Sequence, residues 1–223
     1  MLHLFFEKYK IPVMKKLLVA SLLAAFATTA LGQNSKITVG VESSITISSI
    51  RDDEGSDYFE SQTGYGYGLS ASYSITPCFS INSGLGFERK GRKVNNIVLM
   101  DPLGNIMSNY TLHLNYDYLV LPVKAAFQTK GKVKVYINGG FFVGYMVNYS
   151  ETLGMSFTAS KLTTSDFNRF EGGLTAGAGA YIPLFNKVTL SIGIVDNLGL
   201  SNIYKSHLKS NTIGALVGLR YSL

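Results

Sequence analysis

Apolar and polar residues alternate with a period of two along most of this chain. The clearest stretch is 64–76, where even positions hold glycine, serine or threonine and odd positions hold tyrosine or an aliphatic residue. Residues 79–90 and 212–223 repeat the alternation. A period of two places the apolar side chains on one face of an extended strand, so the pattern predicts half-buried β-strands.

Eight such segments can be counted, which predicts an all-β fold: an antiparallel closed transmembrane β-barrel of about eight strands with up-and-down topology. In the fourth segment the apolar residues move from even positions, as far as Tyr116, to odd positions from Leu119 onward. This slip predicts a β-bulge near Tyr116–Tyr118. The predicted strands are 36–50, 64–76, 79–92, 111–127, 132–149, 168–183, 187–198 and 209–223.

Barrel size and charge decide which face meets lipid. An eight-stranded barrel has an interior just wide enough for side chains, so the Gly, Ser, Thr and Asn face suits the lumen and the Tyr, Leu, Val and Ile face suits hydrocarbon. Arg89 is the main charge on the apolar face. Outward aromatic residues near the strand ends predict two girdles: a periplasmic one of Tyr73, Phe79, Phe127 and Tyr221, and an outer one of Tyr65, Phe87, Tyr145 and Tyr149.

Long polar connections alternate with tight turns along the chain. Outer-membrane barrels have short periplasmic turns and longer external loops, so we expect both ends of the barrel domain on the periplasmic side. Closing the barrel removes unpaired strand edges, as the bilayer requires. The long connections are 51–63, 93–110, 151–167 and 199–208, and the tight turns are 76–78, 129–131 and 185–186.

The N-terminal residues have the organisation of a targeting segment. A short positive region at 14–16 precedes a largely apolar run at 17–27, and small residues at 30 and 32 form a cleavage site. Eleven residues of helix span about 17 Å, too short for a hydrocarbon core of about 30 Å. The predicted domains are an N-terminal extension with a cleaved signal peptide, 1–32, and an outer membrane β-barrel domain, 33–223, with either Met1 or Met14 as the true start.

Composition agrees with a lipid-exposed β protein and argues against a nucleic-acid partner. Charged residues make up 15 % of the chain, against about 25 % in an ordinary soluble domain. The formal charge is +6, of which residues 1–32 carry +3 through four lysines and one glutamate, and no basic stripe follows. Cys78 stands alone and no Cys/His spacing suits a metal, so we predict no metal and no cofactor.

Charged residues on the predicted lumen face suit either an ion or proton path or a network that fills and ties the barrel. An unpaired buried charge is costly, so opposite charges there should pair. This favours the structural network. Its members are Glu42, Glu88, Lys90, Lys124, Glu171 and Arg220.

Three polar residues of the fourth strand, His113, Asn115 and Asp117, share one face near its outer end. A histidine with a carboxylate could act as a general base. Four residues of strand span about 13 Å, however, and no G-x-S-x-G motif accompanies them. We therefore predict no catalytic residues, and we interpret His207 as a solvated loop residue.

Two central runs resemble a known family. Residues 116–127 read YDYLVLPVKAAF, and residues 136–145 read YINGGFFVGY after a tight turn. Together with 214–223, they are similar to the PorT-like outer membrane β-barrel family. The resemblance covers the whole mature chain and implies an outer-membrane location. Most members of that family have no assigned activity, and some are linked to protein secretion machinery.

We therefore expect a non-enzymatic outer-membrane β-barrel protein with a structural or surface-interaction role through its extracellular loops. Its partners would be outer-membrane lipid and a protein bound at the loops or within a secretion complex. Two alternatives stay open: a component of an outer-membrane protein secretion or translocation system, and an enzyme at the outer rim that hydrolyses lipid or peptide.

Overall fold

The computed structural model describes residues 36–51, 60–100, 106–153, 157–158, 168–203 and 208–223. The predicted signal peptide and His207 lie outside these residues. The described residues form nine β-strands: β1 (Ile37–Arg51), β2 (Glu60–Thr76), β3 (Phe79–Met100), β4 (Ile106–Gln128), β5 (Lys134–Leu153), β6 (Phe157–Thr158), β7 (Phe170–Phe185), β8 (Val188–Gly199) and β9 (Lys209–Ser222).

Eight of these strands close into an antiparallel barrel. Strands β1 to β5 pair in sequence, β5 pairs with β7, and β7, β8 and β9 continue the ring. Pairing of β9 with β1 closes it, while the two-residue β6 adds to the upper part of β5 only. The predicted closed eight-stranded barrel is confirmed. Within the described residues, no helix is long and apolar enough to cross a membrane.

The two ends of the barrel differ in the connections that they carry. At the short-turn end, residues 77–78, 129–133 and 186–187 join successive strands. Gly131 has a φ of 132° in one of these turns, a backbone conformation that glycine adopts without strain. Strand β1 starts and β9 ends here. The opposite end, where the longer connections lie, is called the long-loop end below.

Along most of the wall, apolar side chains point outward and small or polar ones point inward. Leu69 and Ile137 are each 61 % exposed, as expected for side chains that face hydrocarbon. Inward positions hold many glycines. Gly68 pairs with Gly86 across β2 and β3, and a Cβ on Gly68 would lie only 2.5 Å from the Cα of Gly86. Glycine there lets two strand backbones curve around a narrow lumen.

A β-bulge lies at the predicted level, but the prediction that the fourth strand carries it is wrong. The register between β4 and β5 does shift at Asp117/Tyr118, but the unpaired extra residue is Val147 of β5. On β4 the even positions stay inward throughout, so Tyr116, Tyr118 and Val120 are all buried. The bulge reverses the parity of β5 beyond it.

The predicted loop at 93–110 is also wrong, because most of it is strand. Strand β3 continues to Met100 and β4 begins at Ile106, so these strands pair well beyond the predicted ends. Strand β5 extends beside them to Leu153, whose partner on β4 is Leu112. A three-stranded sheet of β3, β4 and β5 therefore rises beyond the ring at the long-loop end.

The polarity of the two faces inverts towards that end. Outward positions on β4 change from Leu121 and Leu119 to Asp117, and on β3 they change from Phe87 to Arg89. On β4 the inward positions at the same level are apolar or aromatic, with Tyr118, Tyr116 and Leu114 buried. The slip of apolar residues in the fourth strand therefore reflects this inversion of the two faces, because the even positions of β4 stay inward through it.

Candidate functional site

An apolar cluster fills the lumen at the long-loop end. Three barrel strands, β1, β4 and β5, and the described ends of the β8–β9 connection contribute to it. The connection is fastened by a hydrogen bond from the Ile203 amide to the Leu208 carbonyl at 2.8 Å. Each side chain of the cluster is at most 8 % exposed, so the lumen is densely filled at their level, as in other eight-stranded barrels. The cluster consists of Ile50, Leu114, Tyr116, Tyr118, Val120, Phe142, Met146, Ile203 and Leu208.

A buried ion pair lies directly against this cluster. Lys90 Nζ is 3.1 Å from both carboxylate oxygens of Glu171, and each side chain is 1 % exposed. Ser210 accepts a hydrogen bond from Lys90 at 3.2 Å and donates one to Glu171. The ammonium also lies over the rings of Tyr118 and Phe142, 5.2 Å and 4.8 Å from their centroids. The pair ties β3 to β7 across the lumen.

The other predicted lumen charges lie inward but do not join this pair. Glu88 accepts a hydrogen bond from the Asn197 amide at 3.1 Å. Glu42 and Lys124 line a cavity of about 140 Å³ in the middle of the lumen, and no described carboxylate lies within 4.0 Å of Lys124. Arg220 lies nearer the short-turn end. Glu42, Glu88, Lys124 and Arg220 therefore all line the central cavity, while Lys90 and Glu171 form a separate pair.

The central cavity is polar. Its lining includes four buried oxygen atoms without a hydrogen-bond partner among the described residues, those of Ser70, Glu88, Asn138 and Thr175. Buried polar atoms normally have a partner, and water fills this role where there is room. The lumen is thus polar in its middle and closed by apolar side chains above.

On the outward face of β3, β4 and β5, a cluster of polar contacts marks the level of the inversion. Arg89 forms a two-pronged ion pair with Asp117, Nε to Oδ1 at 2.6 Å and Nη2 to Oδ2 at 2.8 Å. The Asn148 amide donates to the same carboxylate at 3.1 Å. The guanidinium also lies 5.2 Å from the ring centroid of Tyr65. Arg89 is therefore paired where its charge would otherwise face the edge of the lipid.

The three polar residues singled out on the fourth strand bind different partners. His113 Nδ1 lies 3.3 Å from Oε1 of Gln62, and Gln62 donates to Asn115 at 2.6 Å. Gln62 reaches them across Gly91 of β3, which has no side chain in the way. Asp117 instead pairs with Arg89. The structure does not bring His113 and Asp117 together. Sequence reasoning missed Gln62 because its contact with β4 passes over the intervening strand β3.

Further polar contacts continue above this level. Glu60 forms an ion pair with Lys93 at 2.9 Å and accepts a hydrogen bond from Asn95 at 2.5 Å. These two donors hold the pKa of the Glu60 carboxyl below its usual range. Asn95 also accepts a hydrogen bond from Thr111 at 3.2 Å. The outer face of the raised sheet is therefore polar, as suits a surface in water.

Seven of the eight predicted girdle residues point outward. At the short-turn end Phe79 packs on Phe127 with ring centroids 4.9 Å apart, and at the other end Tyr65 and Phe87 stack at 6.0 Å. Tyr149 is the exception, because the bulge at Val147 turns it inward, where it packs on Tyr116 and the apolar cluster. The predicted residues that point outward are Tyr65, Tyr73, Phe79, Phe87, Phe127, Tyr145 and Tyr221.

Within the described residues, no group of three or more His, Cys, Asp or Glu side chains could hold a metal ion. No curated protein sequence matches the chain.

Several solved structures share the barrel at low sequence identity. Neisserial surface protein A is 17 % identical, with a TM-score of 0.49, over 85 % of this chain and 98 % of its own. Ail, the attachment invasion locus protein of Yersinia pestis, is 13 % identical, with a TM-score of 0.44, over 85 % and 100 %. OprG from Pseudomonas aeruginosa is 12 % identical, with a TM-score of 0.44, over 86 % and 98 %. These likenesses concern the fold alone.

A family model assigns the chain more directly. The model for the outer membrane protein beta-barrel domain matches residues 30–205, well over half of the sequence. The match agrees with the closed ring of eight strands, the apolar outward wall and the inversion of polarity at one rim. The chain belongs to the outer membrane protein beta-barrel domain family.

Proposed function

We propose that this protein is a non-enzymatic outer-membrane barrel that acts by presenting its raised sheet and long loops to partners outside the cell. The observation that carries the proposal is the combination of a lumen closed by the apolar cluster with a wall that extends beyond the lipid on polar outward contacts. A closed lumen favours binding at the surface over passage through the barrel.

The sheet extension itself suits a binding role. Strands β3, β4 and β5 stay paired well above the level of Arg89 and Asp117. Binding sites held on rigid elements are more precisely positioned than sites on isolated loops. We also propose that residues 1–32 are removed during export, so that the secreted chain begins at Gln33; the mass of the mature protein tests this.

Shortening the β3–β4 hairpin tests the proposed surface role. Residues 95–111 would be replaced by Asn-Gly, a two-residue turn that suits a hairpin, between the paired residues Val94 and Leu112. The shortened barrel should still resist SDS until it is boiled. Cells that carry it should lose adhesion and autoaggregation as fully as deletion cells do. The surface role would be contradicted if cells with the shortened barrel adhered fully while cells that lack the gene did not adhere.

The PorT-like resemblance favours a second candidate, a component of a secretion system. Proteins released into the medium distinguish the two roles, because a secretion component would change their amount in the deletion strain while a surface binder would not.

The same measurements, made on a His113 variant, test the rim enzyme. The His113→Ala variant should keep the adhesion, the autoaggregation and the released proteins of the wild type. Loss of one of these phenotypes through this single substitution would favour a hydrolase.

A further inference from the structure

The short-turn end of the lumen opens into a vestibule of about 280 Å³. By the same measure a single water needs only about 10–15 Å³, so the space admits a small solute with part of its hydration shell. We use the name vestibule for the volume lined by Thr38, Ser72, Ser74, Ser80, Gln128, Lys132, Lys134, Tyr181, Pro183, Thr189, Arg220 and Ser222.

The charge on this lining is all of one sign. Among the described residues, three cations, Lys132, Lys134 and Arg220, contribute to it and no Asp or Glu side chain does. Hydroxyl groups supply most of the remaining polar atoms, and two of them, those of Thr38 and Ser222, lie 3.4 Å apart and form a hydrogen bond. Cations backed by hydroxyl donors form the donor set that oxyanions prefer.

Arg220 is the deepest of the three cations and is held in place. It is 9 % exposed, its guanidinium carbon lies 4.2 Å from the ring centroid of Tyr181, and it donates a hydrogen bond to Ser72. Tyr181 stacks in turn on Tyr136 at 4.3 Å. A planar guanidinium fixed against a ring presents its remaining N–H groups in a set direction.

Arg220 has no carboxylate in direct contact among the described residues. No described carboxylate lies within 4.0 Å of the guanidinium. Arg220 also lines the central cavity, where Glu42 and Glu88 are the carboxylates and Lys124 is a second cation, so these carboxylates are shared between cations. Since a buried charge without a partner is costly, the arrangement favours an anion supplied from outside.

We propose that the vestibule binds a small, multiply charged oxyanion of the phosphate class, held by Arg220, Lys134 and Lys132 at the short-turn end. In the expected orientation this end faces the periplasm. The proposal goes beyond the surface role, and neither depends on the other, since they concern opposite ends of the barrel.

Calorimetric titration of inorganic phosphate into the folded, detergent-solubilised protein tests the proposal, with chloride at equal ionic strength as the blank. Wild-type protein should bind one phosphate with a Kd below about 1 mM. The substitutions Arg220→Gln and Lys134→Gln should each weaken binding about tenfold or more. Lys134 is only half-buried, so its variant keeps the test valid if Arg220→Gln does not fold.

The matched control is Lys130→Gln, which removes a charge from the same turn outside the vestibule lining. Its affinity for phosphate should equal that of the wild type. The proposal is overturned if phosphate binds no better than chloride. It is also overturned if Lys130→Gln weakens binding as much as Lys134→Gln does, because the attraction would then be general surface charge.

Discussion

At the residue scale, the inward charges differ in how they are compensated. Lys90 Nζ lies 3.1 Å from Oε1 of Glu171, and both side chains are excluded from solvent. Lys124, by contrast, has no described carboxylate within 4.0 Å and lines a polar cavity together with Glu42. Removing one member of a buried pair leaves an uncompensated charge and typically costs about 3–5 kcal/mol. The strongest single electrostatic contribution to stability should therefore come from Lys90.

We predict that Lys90→Met lowers the free energy of unfolding by about 3–5 kcal/mol, while Lys130→Met in an exposed turn changes it by less than about 0.5 kcal/mol. Urea titration in lipid vesicles, read from the fraction of SDS-resistant protein, measures both. The double variant Lys90→Met/Glu171→Leu should recover part of the loss. Equal stabilities of the two single variants would show that the buried pair contributes little.

At the element scale, one face of β4 passes through two environments. Below Asp117 its outward residues are apolar and exposed, as Leu119 and Leu121 are. Above it, His113 and Asn115 take part in polar contacts with Gln62. The even positions of β4 stay inward through both environments, because the shift of register with β5 is taken up by the extra residue Val147.

Arginine substitutions at two outward positions of β4 test this boundary. Leu121→Arg places a charge near the middle of the lipid-facing band and should cost about 2–4 kcal/mol, while His113→Arg lies above the band and should cost about 0–1 kcal/mol. Equilibrium unfolding in vesicles compares them. A similar loss for both variants would mean that His113 lies within the hydrocarbon.

Features set by residues adjacent in the chain could be predicted from the sequence, whereas features set by the pairing of distant strands could not. Alternation within 64–76 predicts the strand and both of its faces, because side-chain direction repeats every two residues. The partner of Lys90 could not be read in this way, because Glu171 reaches it across the barrel and the meeting depends on strand stagger. The bulge at Val147 was missed for the same reason, since its signal lies in the pairing of two strands.

At the scale of the whole molecule, the barrel is asymmetric between its ends. Short turns and a cationic vestibule lie at one end, and the apolar cluster with its raised sheet lies at the other. Outer-membrane barrels place short turns in the periplasm. Cys78, in the turn between β2 and β3, then marks the periplasmic side.

A membrane-impermeant maleimide tests this orientation on intact cells. It should miss Cys78 until the outer membrane is permeabilised. The variant Asn168→Cys in a Cys78→Ser background carries its thiol at an exposed position of the long-loop end and should label at once. Labelling of Cys78 with protection of the engineered thiol would place the barrel the other way round.

The closed lumen is the central claim, and single-channel recording in planar bilayers tests it most directly. Purified, SDS-resistant protein should give no stable conductance steps, because the apolar cluster fills the lumen and eight strands leave no room for an aqueous channel. A porin reconstituted in the same bilayers is the positive control, and both proteins are recorded at the same voltages. Reproducible porin-sized steps from the pure protein would contradict the account.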